Sequence, residues 1–140
     1  LWPRAQRAGV TLRLQTPPND LLVHGDRSLL SRALSNLLDN ALKYGGQPGE
    51  ITCVLWLEDD QVVCEITDQG PGVAEEDLAR VFQPFHRLRP PKAPGVGGAG
   101  LGLSLVSEVV QRHHGEISCR NAEPSGGAVF TLRLPLAIEA

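Results

Sequence analysis

Residues 27 to 44 carry the pattern that most constrains how this chain folds. Apolar side chains recur there at helical spacing, at Leu30, Ala33, Leu37 and Ala41. The spacing predicts an amphipathic helix with one apolar stripe. Such a stripe must be buried against a second layer of structure, so the chain needs a partner surface for this helix.

The polar face of the same helix carries a row of potential ligands. Asn36, Asn40 and Lys43 follow one another at i, i+4 and i+7, so they share one face. Phosphate with Mg²⁺ is the natural candidate for such a row, because hard cations take amide oxygens and lysine binds phosphate as a point charge. The alternative interpretation is an ordinary solvated face.

The rest of the chain predicts strands in pairs and two further helices. Asp26 is a good N-cap for the first helix, which runs to about Tyr44, and Gly115 is the expected stop of the last one. The predicted strands are 10–15, 51–58, 61–67, 116–121 and 128–134, with further helices at 75–81 and 100–113 and a hairpin turn at Asp59-Asp60. This order predicts an α+β fold, a two-layer sandwich with a mixed sheet of about five strands and three helices on one face.

Size and composition narrow the classes of protein. The 140 residues suit a single domain, 1–140, while the net charge of −3 and the 4% aromatic content argue against nucleic-acid binding. Cys53, Cys64 and Cys119 lack C-x-x-C spacing, which indicates buried thiols in a reducing compartment. No apolar run reaches the roughly 18 residues of a membrane span. A chain without Met that starts at Leu1 is expected to be an excised fragment or a processed product, whose N-terminal neighbour would matter for function.

A glycine-containing turn follows the strand at 61–67. Asp68 would place a carboxylate at the end of that strand, where an acceptor suits the exocyclic amine of adenine. Gly70 and Gly72 permit positive φ and close approach of the backbone to a ligand. A plain strand-ending turn is the alternative.

A second glycine-rich run, residues 95 to 102, leads directly into a helix. Glycines at that point let backbone N–H groups face an anion. The run is neither a Walker loop nor a dinucleotide fingerprint, and a flexible linker is the alternative. That alternative leaves Gly100 and Gly102 unexplained, since each costs about 1 kcal/mol in a first helical turn.

A basic loop separates these two glycine segments. Phe82 and Phe85 are expected to be core anchors, and Arg87 opens a loop that also holds Arg89 and Lys92. Such a loop could close over a phosphate site as a lid, or its charges could simply be solvated. The four histidines, His24, His86, His113 and His114, have no spacing typical of a nucleophile or metal site and receive no catalytic role.

Taken in order, these motifs resemble the N, G1, F, G2 and G3 boxes of the catalytic ATP-binding domain of bacterial sensor histidine kinases, within the gyrase, chaperone, kinase and mismatch-repair (GHKL) ATPase superfamily. The matching residues are Asn36-x-x-x-Asn40-x-x-Lys43-Tyr44, Asp68-x-Gly70-x-Gly72, Phe82-x-x-Phe85, Gly98-x-Gly100-Leu101-Gly102-Leu103 and Gly126-Gly127. The resemblance covers roughly residues 10 to 136 and implies a Bergerat-type sandwich with a flexible ATP lid.

The resemblance also implies a role for each matching residue toward ATP and Mg²⁺. Asn40 would hold Mg²⁺, with Asn36 and Lys43 on the metal–phosphate group and Arg87 reaching the γ-phosphate. Catalytic roles would fall to Asn36, Lys43 and Arg87. The remaining nucleotide contacts would come from Tyr44 stacking on adenine, Asp68 on its amine, Gly70 and Gly72 around the base, and Gly98, Gly100, Leu101, Gly102 and Leu103 around the phosphates.

Asn36 distinguishes classes within the superfamily. Members that hydrolyse ATP, and the anti-sigma serine kinases, carry a Glu general base where this chain has Asn36. An amide cannot accept a proton at neutral pH. We therefore expect slow hydrolysis, and transfer of the γ-phosphoryl group to a histidine on a separate dimerisation domain, since no histidine here lies in the phosphoacceptor context.

The resemblance further implies a setting for the domain. The whole protein would be a sensor histidine kinase, with this domain on the cytoplasmic side of the inner membrane and a response regulator as partner. The isolated domain would be a monomer. Two alternatives stay open at this point: a stand-alone anti-sigma-like serine kinase, and a nucleotide-binding interaction module without catalysis.

Overall fold

The computed structural model describes residues 10–16, 21–44, 49–70, 72–83, 102–122 and 127–137, with the backbone alone at 10–15, 43, 44 and 49. The loop at 87–98, Phe85 and the turn at 124–126 lie outside the described residues.

The described strands form one mixed sheet. They are β1 (Val10–Gln15), β2 (Gly49–Glu58), β3 (Gln61–Thr67), β4 (Glu116–Asn121) and β5 (Ala128–Pro135). Their spatial order is β1-β2-β3-β5-β4. Only the β1–β2 pair is parallel within this sheet, and the other three pairs are antiparallel. β5 therefore lies between β3 and β4. The mainly antiparallel sheet, together with the helices, confirms the predicted α+β class.

The helices are α1 (Arg27–Tyr44), α2 (Glu75–Leu78) and α3 (Gly102–Arg112). Asp26 caps α1 as expected, because its Oδ1 accepts the N–H of Leu29 at 3.1 Å. The prediction that α2 extends to 81 is wrong. From Ala74 onward the backbone closes three-residue turns, with Arg80 N–H bonded to the Asp77 carbonyl, and such turns do not continue an α-helix.

One face of the sheet forms the core under α1 and α3. The strand register aligns Cys53, Ile66, Phe130 and Cys119 in a row across four strands, and all four belong to the core or pack against it. Phe130 meets Phe82 edge to face, with ring centroids 6.1 Å apart. The prediction that Phe82 anchors the core is thus confirmed.

A histidine ties the two long helices together. His113 Nε2 accepts the N–H of Asp26 at 3.0 Å, and its Nδ1 lies 2.7 Å from the carbonyl oxygen of Val109. The ring is therefore the tautomer with the proton on Nδ1, which donates to that carbonyl. Because this bond joins the end of α3 to the start of α1, the two packed helices run antiparallel.

The end of α3 departs from the expected glycine stop. His114, with φ of 62°, occupies the left-handed position that was expected of a glycine. Gly115 serves close packing instead, since a Cβ there would overlap the carbonyl oxygen of Arg133 on β5. The helix does end here, but His114 has the left-handed backbone conformation and Gly115 allows the close packing against β5.

An apolar cavity of about 410 Å³ lies at the end of the sandwich where α1 begins. Its lining is aliphatic apart from one hydroxyl and one thiol, and comes from Thr16, Leu21, Val23, Leu30, Leu34, Leu55, Val62, Cys64, Leu132 and Leu134.

In the part of the chain that the structure describes, no helix is both long and apolar enough to span a membrane.

Candidate functional site

Three of the predicted motifs converge at the opposite end of the sandwich. The end of β3 lies beside the start of β2, because Thr67 pairs with Thr52. β2 follows α1 after a gap of only residues 45–48, so the end of α1 is at the same edge. The antiparallel packing of α1 and α3 brings the first turn of α3 toward the same half of α1. The site is therefore framed by α1, β3 and α3.

Asp68 is the most firmly held side chain of this site. It is only 4% exposed, its N–H donates to the Ala128 carbonyl at 3.1 Å, and its Oδ1 accepts the N–H of Ala128 at 3.1 Å and of Gly70 at 2.9 Å. No described residue donates to its second oxygen, Oδ2. One carboxylate oxygen thus fixes the side chain, and within the described residues the other keeps its capacity to accept a hydrogen bond.

Glycines allow the backbone to close around Asp68. Gly72 has φ of 78°, which a side chain rarely tolerates. A Cβ at Gly127 would overlap the backbone carbonyl of Asp68, so only glycine lets β5 approach this closely. Sequence analysis placed Gly127 in a motif but gave it no role, because the contact joins residues that are far apart in the chain.

Asn36 and Asn40 lie on the half-buried face of α1, about 6 Å apart along the helix axis. No described residue forms a hydrogen bond with either amide. Within the described part of the chain, both amides therefore have capacity to bond water or a ligand. Amide oxygens fit the donor preference of Mg²⁺. Lys43 and the backbone of Tyr44 continue the helix, but their side chains lie outside the description.

The glycine-rich segment is only partly described. Gly102 is exposed at the start of α3, and an added Cβ would meet nothing within 4 Å. Leu103, predicted to line the nucleotide, is half-buried and packs against the core. The other predicted contacts, Arg87, Gly98, Gly100 and Leu101, lie outside the described residues.

Sequence analysis missed one polar side chain at this end of the sheet. The amide of Asn121, the last residue of β4, forms two hydrogen bonds with the backbone of Val73, which lies just beyond Gly72. No local signal marks this residue, since an asparagine next to a turn is ordinary.

The three cysteines are free thiols, as interpreted from the sequence. Burial, followed by the nearby Asp68 carboxylate, raises the pKa of Cys119 from 9.0 to about 12. The Sγ atoms of Cys53 and Cys64 lie 3.7 Å apart, and this contact together with burial raises the pKa of Cys64. Cys119 and Cys64 are therefore neutral near pH 7 and are inert as nucleophiles.

Comparison with known proteins assigns the family. Residues 25–138 match the family model described as histidine kinase-, DNA gyrase B- and HSP90-like ATPase. The chain belongs to this ATPase family. The family resemblance drawn from the sequence motifs is thus confirmed.

Curated relatives of this ATPase domain are named as histidine kinases. It is 38% identical over 133 residues to the sensor histidine kinase TmoS of Ectopseudomonas mendocina, covering 94% of the chain and 14% of TmoS. It is also 38% identical over 136 residues to the sensor-like histidine kinase SenX3 of Mycobacterium tuberculosis, covering 97% of the chain and 33% of SenX3. The chain thus spans a third or less of the length of these relatives.

Solved structures similar to the ATPase domain are histidine kinases as well. The mycobacterial sensor histidine kinase MprB matches with a TM-score of 0.87 and 31% identity over 99% of this chain and 91% of that one. Full-length ShkA in complex with AMPPNP matches with a TM-score of 0.82 and 29% identity, over 99% and 28% of the two chains. ThkA in complex with the response regulator TrrA matches with a TM-score of 0.78 and 26% identity, over 97% and 37%.

Proposed function

We propose that this ATPase domain binds Mg-ATP and donates the γ-phosphoryl group to a histidine on a separate dimerisation domain of a sensor histidine kinase. The observation that carries the proposal is the state of Asp68, a buried carboxylate whose Oδ1 is tethered and whose Oδ2 has no donor among the described residues. That arrangement lies at the same end of the sandwich as the amides of Asn36 and Asn40, with which no described residue forms a hydrogen bond. It provides one acceptor for a base and a separate polar surface for phosphates.

The adenine end of the site is formed around β3. Asp68 Oδ2 would accept a hydrogen bond from the exocyclic amine of adenine. Gly70 and Gly72 would let the backbone lie flat against the base, and Tyr44 would stack on it. The match to ShkA, whose structure was solved with the ATP analogue AMPPNP, supports a nucleotide as the ligand.

The phosphate end of the site is formed by α1 and the start of α3. Asn40 would bind Mg²⁺ through its amide oxygen, while Asn36 and Lys43 would contact the metal–phosphate group. Mg²⁺, when bound, would neutralise charge on the phosphates. As the family motifs imply, we assign the contact with the γ-phosphate to Arg87. The remaining contacts with the phosphate chain would come from Gly98, Gly100, Leu101, Gly102 and Leu103.

Transfer to an external histidine fits the lack of a general base at residue 36. Phosphoryl transfer depends mainly on positioning and charge stabilisation, and a neutral imidazole is nucleophilic without a base. Water at the same position would need activation, which the Asn36 amide cannot provide. The domain should therefore bind ATP firmly and hydrolyse it slowly.

The proposal extends to the whole protein of which this domain would be part. Its partners would be the dimerisation and histidine phosphotransfer domain and a response regulator, which the match to the ThkA–TrrA complex supports. We propose a cytoplasmic position below an inner-membrane sensor, and a monomeric state for the isolated domain.

The test is calorimetric titration of the domain with Mg-ATP. We expect one site in the wild type and binding weaker by about tenfold or more in Asp68→Asn, because the amide presents a donor to the adenine amine. Asp59→Asn, an exposed change at the far end of β3, is the matched control and should bind normally. Full affinity in Asp68→Asn would refute the assignment of the adenine site. Rapid hydrolysis of ATP to ADP by the isolated wild-type domain, with no acceptor histidine present, would refute the transfer proposal.

A further inference from the structure

The side chain of Asn121 pairs with the backbone of Val73 as a strand residue would. Val73 N–H donates to Asn121 Oδ1 at 2.8 Å, and Asn121 Nδ2 donates to the Val73 carbonyl at 2.7 Å. Both distances are those of well-formed hydrogen bonds. Val73 is only 5% exposed, so these bonds satisfy backbone groups that have little access to water.

Asn121 also belongs to the strand pair that holds Asp68. In the register of β4 and β5, Asn121 lies opposite Ala128. Ala128 in turn exchanges hydrogen bonds with the backbone and carboxylate of Asp68, both at 3.1 Å. One cross-strand pair therefore holds the two ends of the segment 68–73, with Ala128 at its start and Asn121 at its end.

Besides this double attachment, the segment is held by Gln69, whose Oε1 accepts the N–H of Glu50 at 3.2 Å, and by the Val73 side chain in the core. Beyond Asp68 the chain leaves the β3–β5 ladder, and Gly70 and Gly72 restrict the backbone less than other residues would. Without the Asn121 amide the backbone of Val73 would lose both of these hydrogen bonds, and this end of the segment would be held by the packing of the Val73 side chain in the core. The distance between Asp68 Oδ2 and the backbone of Gly72 would then vary.

We infer that Asn121 is a positioning residue for the adenine end of the site. Through Val73, it fixes the glycine backbone relative to the open oxygen of Asp68, and so sets the affinity for the base. Among the described residues, neither α1 nor α3, which carry the phosphate end, forms a hydrogen bond with the Asn121 side chain. This inference rests on the proposed function.

The experiment compares two ligands in calorimetric titration, Mg-ATP and magnesium tripolyphosphate, which lacks the base. We expect Asn121→Ala to weaken Mg-ATP binding about tenfold while tripolyphosphate binding stays unchanged. Asn121→Asp should lose at least as much, because it keeps the acceptor for the Val73 N–H but faces the Val73 carbonyl with a second oxygen. Ser118→Ala, an exposed change on the same strand, is the control and should leave both affinities unchanged.

Amide hydrogen exchange of Val73 supplies an independent readout. Exchange at Val73 should accelerate in Asn121→Ala while exchange in the core of β3 stays slow, and Asn121→Asp serves the same purpose if the alanine variant is unfolded. The inference would be overturned, with the proposed function left standing, if Asn121→Ala lost affinity equally for both ligands. The same holds if its Mg-ATP affinity were unchanged although Val73 exchanged fast. Absence of Mg-ATP binding in the wild type would overturn the proposed function together with it.

Discussion

Gly127 determines how closely β5 approaches the carboxylate of the site. A Cβ on this residue would overlap the backbone carbonyl of Asp68, and the same strand provides the Ala128 N–H that tethers the side chain of Asp68. Stability and ligand geometry therefore depend on one small residue. Gly102, at the phosphate end, has open space where its Cβ would be.

These two glycines predict opposite effects of alanine. Gly127→Ala should lower the free energy of unfolding by about 1 to 3 kcal/mol, because the backbone of β5 must move away from Asp68. Gly102→Ala should raise it by up to about 1 kcal/mol through helix propensity. Urea denaturation of both variants measures the difference. Equal free energies of unfolding for the two variants would show that the backbone around residue 127 accommodates a Cβ without loss of stability.

Cys119 predicts a pH dependence at the alkaline end. Its pKa is raised from 9.0 to about 12 by burial and by Asp68, so folding favours the neutral thiol. The contribution of the neutral thiol to the free energy of unfolding is therefore complete below about pH 9 and is lost as the pH rises toward 12. Denaturation between pH 8 and 11 should show stability falling more steeply in the wild type than in Cys119→Ala. Parallel curves would contradict the raised pKa.

At the residue scale, sequence reasoning selected candidate binding residues and missed the residues that hold them in place. Asp68, Asn36 and Asn40 are recognisable because their residue types suit a ligand and their spacing is local. Gly127 and Asn121 act on residues 59 and 48 positions away, on Asp68 and Val73. Contacts of that range depend on the strand order, which no local pattern reveals.

Among the elements, the β2–β3 hairpin carries backbone strain. Asp59 and Asp60 have φ of 50° and 61°, the left-handed values that a two-residue type I′ turn demands. Aspartate tolerates this region better than most residues, but glycine adopts it without steric cost. The sequence predicted the hairpin from these two residues, yet it could not show that both have positive φ.

Asp60→Gly should therefore stabilise the domain. We expect a gain of about 1 kcal/mol, since the left-handed penalty is removed. The backbone bond from Leu136 N–H to the Asp60 carbonyl is retained, because it involves no side chain. Thermal unfolding measures the change against Asp59→Asn, which keeps a residue that tolerates the same region. A lower melting temperature would show that the aspartate side chain stabilises the turn by more than the strain costs.

The ends of the helices were less predictable than their existence. Apolar periodicity predicted α1 and α3, and the N-cap at Asp26 was read correctly. The C-terminal end of α3 was assigned to Gly115 for its backbone freedom, whereas His114 takes the left-handed conformation. A glycine selected for close packing and a glycine selected for positive φ look identical in a sequence.

On the scale of the whole molecule, the two ends of the sandwich differ in chemistry. One end carries the polar site, and the other carries the apolar cavity of about 410 Å³, which is partly open to solvent. Unfilled apolar space lowers stability because the lining side chains lack packing partners on one side. The composition and order of elements predicted the two-layer class, but not the position of β5 between β3 and β4.

Filling the cavity should stabilise the domain without touching the site. Val62 lines the cavity, and Val62→Ile should add up to about 1 kcal/mol to the free energy of unfolding. Its neighbour Val63 faces the other side of the sheet and is fully buried, so Val63→Ile should overpack and cost about 1 to 3 kcal/mol. Denaturation midpoints decide between these outcomes, and destabilisation by both variants would indicate that the cavity walls do not accommodate a methyl group.

The antiparallel arrangement of α1 and α3 has an electrostatic consequence for the polar end. The C-terminal pole of the α1 macrodipole and the N-terminal pole of α3 lie at the same end of the helix layer, with partial charges of about −0.5 and +0.5. A lone anion or a lone cation would meet one favourable and one unfavourable pole. A neutralised pair, a divalent ion joined to its phosphate, can align with both. Under the proposed function, nucleotide and metal are therefore expected to enter this site together, as one complex.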